Sequence, residues 1–189
     1  MFERISDNLE AKKLNIDERT SVNEIKNSKE TSREIRDQFV RSPEETKKIE
    51  ENSPFSKEIN DNIRSKEELD IYKNAPLKEG EVNGKATLER TDIDYKQIDE
   101  DIGKTNLELM KDGYAPLDKN GNPIELHHIG QKSDYPLAEL TKQEHRGKEN
   151  NTILHDVKKE SEIDRDKFNK ERSDYWKARA EQVESQIKS

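Results

Sequence analysis

The chain has 189 residues, no cysteine, a net charge of −8, and 28% hydrophobic against 41% charged residues. A fully globular chain carries about 45% apolar residues, so part of this one buries no core, and the missing cysteines exclude disulfides, thiolate metal sites and thiol catalysis. No apolar run approaches the roughly 18 residues of a membrane span, and none follows Met1-Phe2-Glu3-Arg4 as a classical signal peptide requires.

Residues 1–65 are the poorest in core formers. Ile5, Leu9, Val22, Ile25, Ile35 and Phe39 form sparse helical pairs diluted by charge. Pro43 and Pro54 interrupt the stretch, and Ser42-Pro43-Glu44-Glu45 reads as an N-cap with proline at the first helical position. A solvated helical or disordered linker is expected over 1–65, with a partner-binding helical segment as the sharper alternative. The character changes at residue 66. Ser65-Lys66-Glu67-Glu68 is a capping box leading into Leu69, Ile71 and Tyr72, and Pro76 and Gly80 end that helix. Asn83-Gly84 signals a turn, and Ala86 to Tyr95 reads as a strand. Thr105 caps a short helix through Leu107, Leu109 and Met110, which Gly113 stops.

Asn120-Gly121 marks another turn. Ile124–Ile129 and Leu137–Leu140 then read as two strands, and Thr141 caps a helix or turn that includes Glu144 and His145. Residues 151–188 are helical in character. The order is strand, turn, strand, helix, and no internal repeat is visible.

All four histidines lie in this part: His127, His128, His145 and His155. Such clustering points to a metal or acid–base site. Adjacent strand residues face opposite ways, so His127 and His128 do not share one ion from a regular strand; they can divide the labour between ligand and base. His145 can return to the ion from the helix start. His155 lies ten residues further on, about 15 Å along a straight helix, unless a loop through Gly147 folds it back.

Glu125-Leu126-His127-His128-Ile129-Gly130-Gln131, followed by Pro136 to Thr141, then Glu144-His145-Arg146-Gly147 and Leu154-His155, resembles the LHH family of HNH/endonuclease VII-type nucleases, toxin domains of bacterial polymorphic toxin systems. Arg90 to Asp94 and Thr105 to Met110 are similar to the lead-in common in that family. The resemblance covers about residues 66–177, which gives a nuclease domain over 66–189 with a C-terminal helix, and a pre-toxin linker over 1–65.

The resemblance implies an α+β fold: a ββα-metal (His-Me finger) core with additional helices. It implies one divalent ion (Zn, Mg, Mn or Ni) and hydrolysis of phosphodiester bonds. By analogy His127 and His145 are metal ligands and His128 is the general base. The family's further colicin-type ligand position is Glu149 here, which leaves His155 as the candidate third ligand. The Asn that orients the base has no spacing-matched counterpart; Gln131, Asn150 or Asn151 are the available residues. Arg146, Lys148 and Arg90 are the candidate phosphate contacts. The net acidic charge runs against nucleic-acid binding in general, but a local basic rim and a bound dication can offset it. The resemblance also implies DNA as substrate, a cognate immunity protein, and secretion without a signal peptide as the C-terminal part of a larger toxin that acts in the target-cell cytoplasm. A ribonuclease on the same fold and a non-enzymatic, metal-stabilised binding module are the alternatives.

Overall fold

The computed structural model describes residues 41–155 and 164–188. The helical pairs expected from Ile5 to Phe39 lie outside the described residues. The described part is α+β. Three helices come first: α1 (Pro43–Asn52), α2 (Lys57–Asn60) and α3 (Lys66–Asn74). Local chemistry starts each of them. The Ser42 side chain accepts from the Glu45 amide while Glu45 reaches back to the Ser42 amide, and Pro43 sits at the first helical position. Ser56 and Ser65 cap α2 and α3 through their hydroxyls.

Next come the strands β1 (Leu77–Val82) and β2 (Lys85–Arg90), an antiparallel hairpin closed by Asn83 and Gly84. Both turn residues have positive φ, 54° and 75°, the two-residue turn whose twist matches the strands. A small hairpin, β3 (Ile98–Asp99) with β4 (Lys104–Thr105), leads into α4 (Asn106–Lys111). The core unit follows: β5 (Glu125–His128), β6 (Leu137–Leu140), α5 (Lys142–Arg146) and α6 (Asn150–Leu154). The long helix α7 (Arg165–Lys188) is the last element.

The sheet order is β1-β2-β6-β5, so β5 is an edge strand. β5 pairs antiparallel with β6, setting His127 opposite Ala138 and His128 opposite Leu137, while β2 pairs parallel with β6. Alternation along β6 divides the core in two. Ala138 and Leu140 join Leu88, Ile129 and Leu154 with Ile49, Ile59, Ile63, Leu69 and Tyr72 of the first helices. Leu137 joins Leu126, Val82 and Met110 with Tyr175, Trp176 and Ala180 of α7.

Residues 41–65 correct the boundary expected after residue 65. Ile49, Ile59 and Ile63 are at most 1% exposed and belong to the same cluster as Leu69 and Tyr72. Arg41 adds two hydrogen bonds, to the carbonyls of Asn60 and Ile63. The apolar residues are few here, but each is placed inward, which composition does not reveal. Gly80 does not end a helix either; it lies within β1, a strand whose Lys78-Glu79-Gly80-Glu81 run carries no alternating apolar signal.

α7 is fixed to the sheet by buried charge as well as by Trp176. The Arg179 guanidinium, 2% exposed, reaches Glu139 of β6 and Glu89 of β2, each at 3.1 Å. The Tyr175 hydroxyl donates to Glu139 at 2.7 Å, and the Arg90 amide donates to the other Glu139 oxygen at 2.7 Å. Burial raises the Glu139 carboxyl above its ordinary range, against the pull of Arg179.

Candidate metal centre

Three imidazoles converge on one side of β5. His127 leaves the strand on the face of Ala138 and Tyr72. His145 comes from α5, whose start is set by a capping box between Thr141 and Glu144. His155 follows α6, and the chain folds back to bring it there through Gly147, where a Cβ would stand 2.3 Å from the Gln143 carbonyl oxygen. His145 Nε2 lies 3.1 Å from His127 Nδ1 and 3.2 Å from His155 Nε2. One ligand atom from each histidine falls within a 4.8 Å span.

The hydrogen bonds of His145 and His155 assign their lone pairs. His145 Nδ1 donates to Glu125 at 2.6 Å, and His155 Nδ1 donates to the Asn151 carbonyl at 3.1 Å. Both Nε2 atoms are therefore acceptors, facing each other and His127 Nδ1. Two facing lone pairs at 3.2 Å favour a cation between them, and His127 Nδ1 can join them as a ligand or donate its proton to His145 Nε2. A shared proton is disfavoured, because burial lowers the pKa of all three rings and the neighbouring imidazoles and Arg64 lower His127 further, well below the ordinary value near 6.5. A divalent ion fits. Two nitrogens bound to one tetrahedral zinc at about 2.0–2.1 Å lie about 3.3 Å apart, close to the spacings found here. The Glu125 carboxylate supplies the outer partner that metal-bound histidines use to fix their tautomer, and Arg146 Nε donates to the same oxygen at 2.9 Å.

His128 points to the other face of β5, as the strand period requires. It is 2% exposed and packs on the Phe168 ring of α7 at 4.7 Å between centroids. Its Nε2 lies 3.0 Å from a Glu171 carboxylate oxygen, while Nδ1 is buried without a protein partner among the described residues.

The other expected site residues divide. Gln131 Oε1 accepts from Arg64 at 2.6 Å, and Arg64 also donates to the Ile153 carbonyl at 2.7 Å, just before His155. Asn150 donates to the Glu144 carbonyl at 2.8 Å, so its amide holds α5 against α6. Asn151 acts through its backbone carbonyl on His155. Glu149 is exposed at the start of α6 and caps nothing with its side chain. Arg146 and Lys148 are exposed beside the cluster. Arg90 is corrected: its guanidinium is buried and bound to Asp92 at 2.8 and 2.9 Å and to Glu144 at 2.5 Å, which leaves no free edge for a phosphate. Three residues were missed in the sequence. Glu125 had a legible signal, since it precedes His127 by two on the same strand face. Arg64 and Glu171 lie 67 residues before Gln131 and 43 after His128 in sequence, with no local pattern to mark them.

The convergent histidines on a ββα unit are those of a nuclease of the HNH/ENDO VII superfamily. Residues 105–182 match the model of the family described as LHH, a nuclease of that superfamily with conserved LHH, and this part of the chain belongs to it. The matched range holds Leu126-His127-His128 and all four histidines, and the substrate of such a domain is a nucleic acid. No solved structure matches the chain. No helix among the described residues is long and apolar enough to cross a membrane.

Proposed function

We propose that the chain is a metal-dependent endonuclease toxin that hydrolyses DNA phosphodiester bonds without sequence preference in competitor bacterial cells. The convergence of His127, His145 and His155, with His128 at the next position of the same strand, carries this reading. Among the described residues three histidines converge, the ligand count of catalytic zinc sites, whereas structural sites are closed by four; this favours an enzyme over a metal-stabilised binding module. When bound, the divalent ion would act as a Lewis acid for the scissile phosphate and the leaving oxygen.

The protein's own groups supply the rest. Glu125 and the Asn151 carbonyl hold His145 and His155 in the ligating tautomer. His128 takes the proton from the attacking water. Arg146 and Lys148 position neighbouring phosphates. The resemblance of the ordered motifs to polymorphic toxin domains supports DNA as the target, export within a larger precursor, and a cognate immunity protein in the producer.

Side-by-side digestion of supercoiled plasmid and of total RNA, with divalent metal, tests the reading. We expect plasmid degradation and intact RNA, and loss of plasmid degradation in His128→Ala. RNA loss with intact plasmid would make the chain a ribonuclease.

A further inference from the structure

The base assigned to His128 has an orienting group that the motif itself does not contain. We propose that Glu171, on the first half of α7, is the positioning residue for His128, an inference that rests on the base role given to His128 above. Glu171 lies 43 residues from His128 in sequence, and its Oε2 stands 3.0 Å from His128 Nε2. Its other oxygen pairs with the ammonium of Lys85, the first residue of β2, and that ammonium also donates to the Ser133 carbonyl at 2.7 Å. Three elements therefore clamp one carboxylate against one imidazole. Burial alone would raise the Glu171 carboxyl, but the bonds from His128 and Lys85 outweigh it and hold the group below its ordinary range, ionised.

An ionised carboxylate only accepts, so the proton of neutral His128 sits on Nε2. The lone pair is left on Nδ1, the nitrogen with no protein partner among the described residues. A general base needs this arrangement: one nitrogen tied to an acceptor, the other free to take a proton. Of the residues available for the role, Asn150 is bound to Glu144 and Gln131 to Arg64, and Asn151 meets His155 through its carbonyl. Glu171 also lines a cavity of about 370 Å³ with Lys85, Lys167 and Lys170, on the same side of the sheet.

A purely structural Glu171 would tie α7 to β2 and nothing more. Replacement by Gln separates the two roles. In Glu171→Gln the amide oxygen stays with the Lys85 ammonium, so the amide NH₂ turns to His128 Nε2 and donates. This drives the imidazole proton to Nδ1 and blocks the base. The ¹⁵N shifts of the His128 ring report the tautomer directly, without turnover. We expect the Nε2–H form in the wild type and the Nδ1–H form in Glu171→Gln. We also expect kcat to fall by about 10²- to 10⁴-fold, the span that general-base catalysis contributes, with KM unchanged and partial rescue in Glu171→Asp. A wild-type Nδ1–H tautomer, or a Glu171→Gln variant within twofold of wild-type kcat while His128→Ala is inactive, overturns the role of Glu171. Wild-type activity in His128→Ala overturns the base role beneath it, and is told apart because the tautomer shift then persists without a change in rate.

Discussion

The Glu125 carboxylate sits 2.6 Å from His145 Nδ1 and accepts its N–H, which turns the lone pair of Nε2 toward His127 and His155. The pair links a strand residue to a helix residue 20 positions away, and it fixes the tautomer on which the cluster depends. Losing such a partner lowers metal affinity by about 10- to 100-fold in comparable sites. We expect a loss of that size in Glu125→Gln, read by competition with a chromophoric chelator. Unchanged affinity would remove Glu125 from the site.

The three cluster histidines have lowered pKa values, with burial the largest cause. A group whose folded pKa is depressed leaves stability intact above its unfolded value, near 6.5, and removes it as pH falls toward the folded value. Metal-free protein should therefore lose stability below about pH 6.5. The wild type minus His127→Ala difference in urea unfolding, measured at several pH values in chelator, isolates this contribution from that of the buried carboxylates. A difference that stays flat with pH would contradict it.

Arg179 joins two buried carboxylates, Glu139 and Glu89, to α7. Removing one member of a buried ion network leaves the others uncompensated, at about 3–5 kcal/mol. Arg179→Ala should lose stability of that order by chemical denaturation. A change below about 1 kcal/mol, the range of an exposed pair, would mean that the network is solvated.

The helices before residue 66 belong to the core through Ile49, Ile59 and Ile63. Ile49→Ala should destabilise by about 2–5 kcal/mol, as buried large-to-small changes do. Limited proteolysis of the full chain should leave a core that begins at or before Arg41. A stable fragment beginning near residue 66 would show that these helices are dispensable.

Much of the fold and the site is written locally. Capping boxes at Ser42, Thr105 and Thr141 announce their helices, because a hydroxyl and a carboxylate three residues apart satisfy free amides at a helix start. The two-residue strand period alone sets His127 and His128 on opposite faces. Gly147 permits the return that brings His155 to the cluster. The illegible part is long-range. Nothing near Glu171 marks it as the partner of His128, and nothing near Arg64 ties it to Gln131, since those contacts arise only when α7 and the first helices dock. The sparse hydrophobics of residues 41–65 conceal their packing for a related reason: a core needs a few well-placed side chains, and composition counts them without placing them.

Cleavage of supercoiled plasmid by metal-stripped protein, as a divalent ion is added back, tests most directly whether the three-histidine cluster makes this chain a nuclease. We expect no cleavage in chelator, activity that saturates at one ion per chain for the tightest-binding metal, and no restoration in His127→Ala or His145→Ala. Full-rate cleavage in chelator, or wild-type activity in either variant, would contradict it.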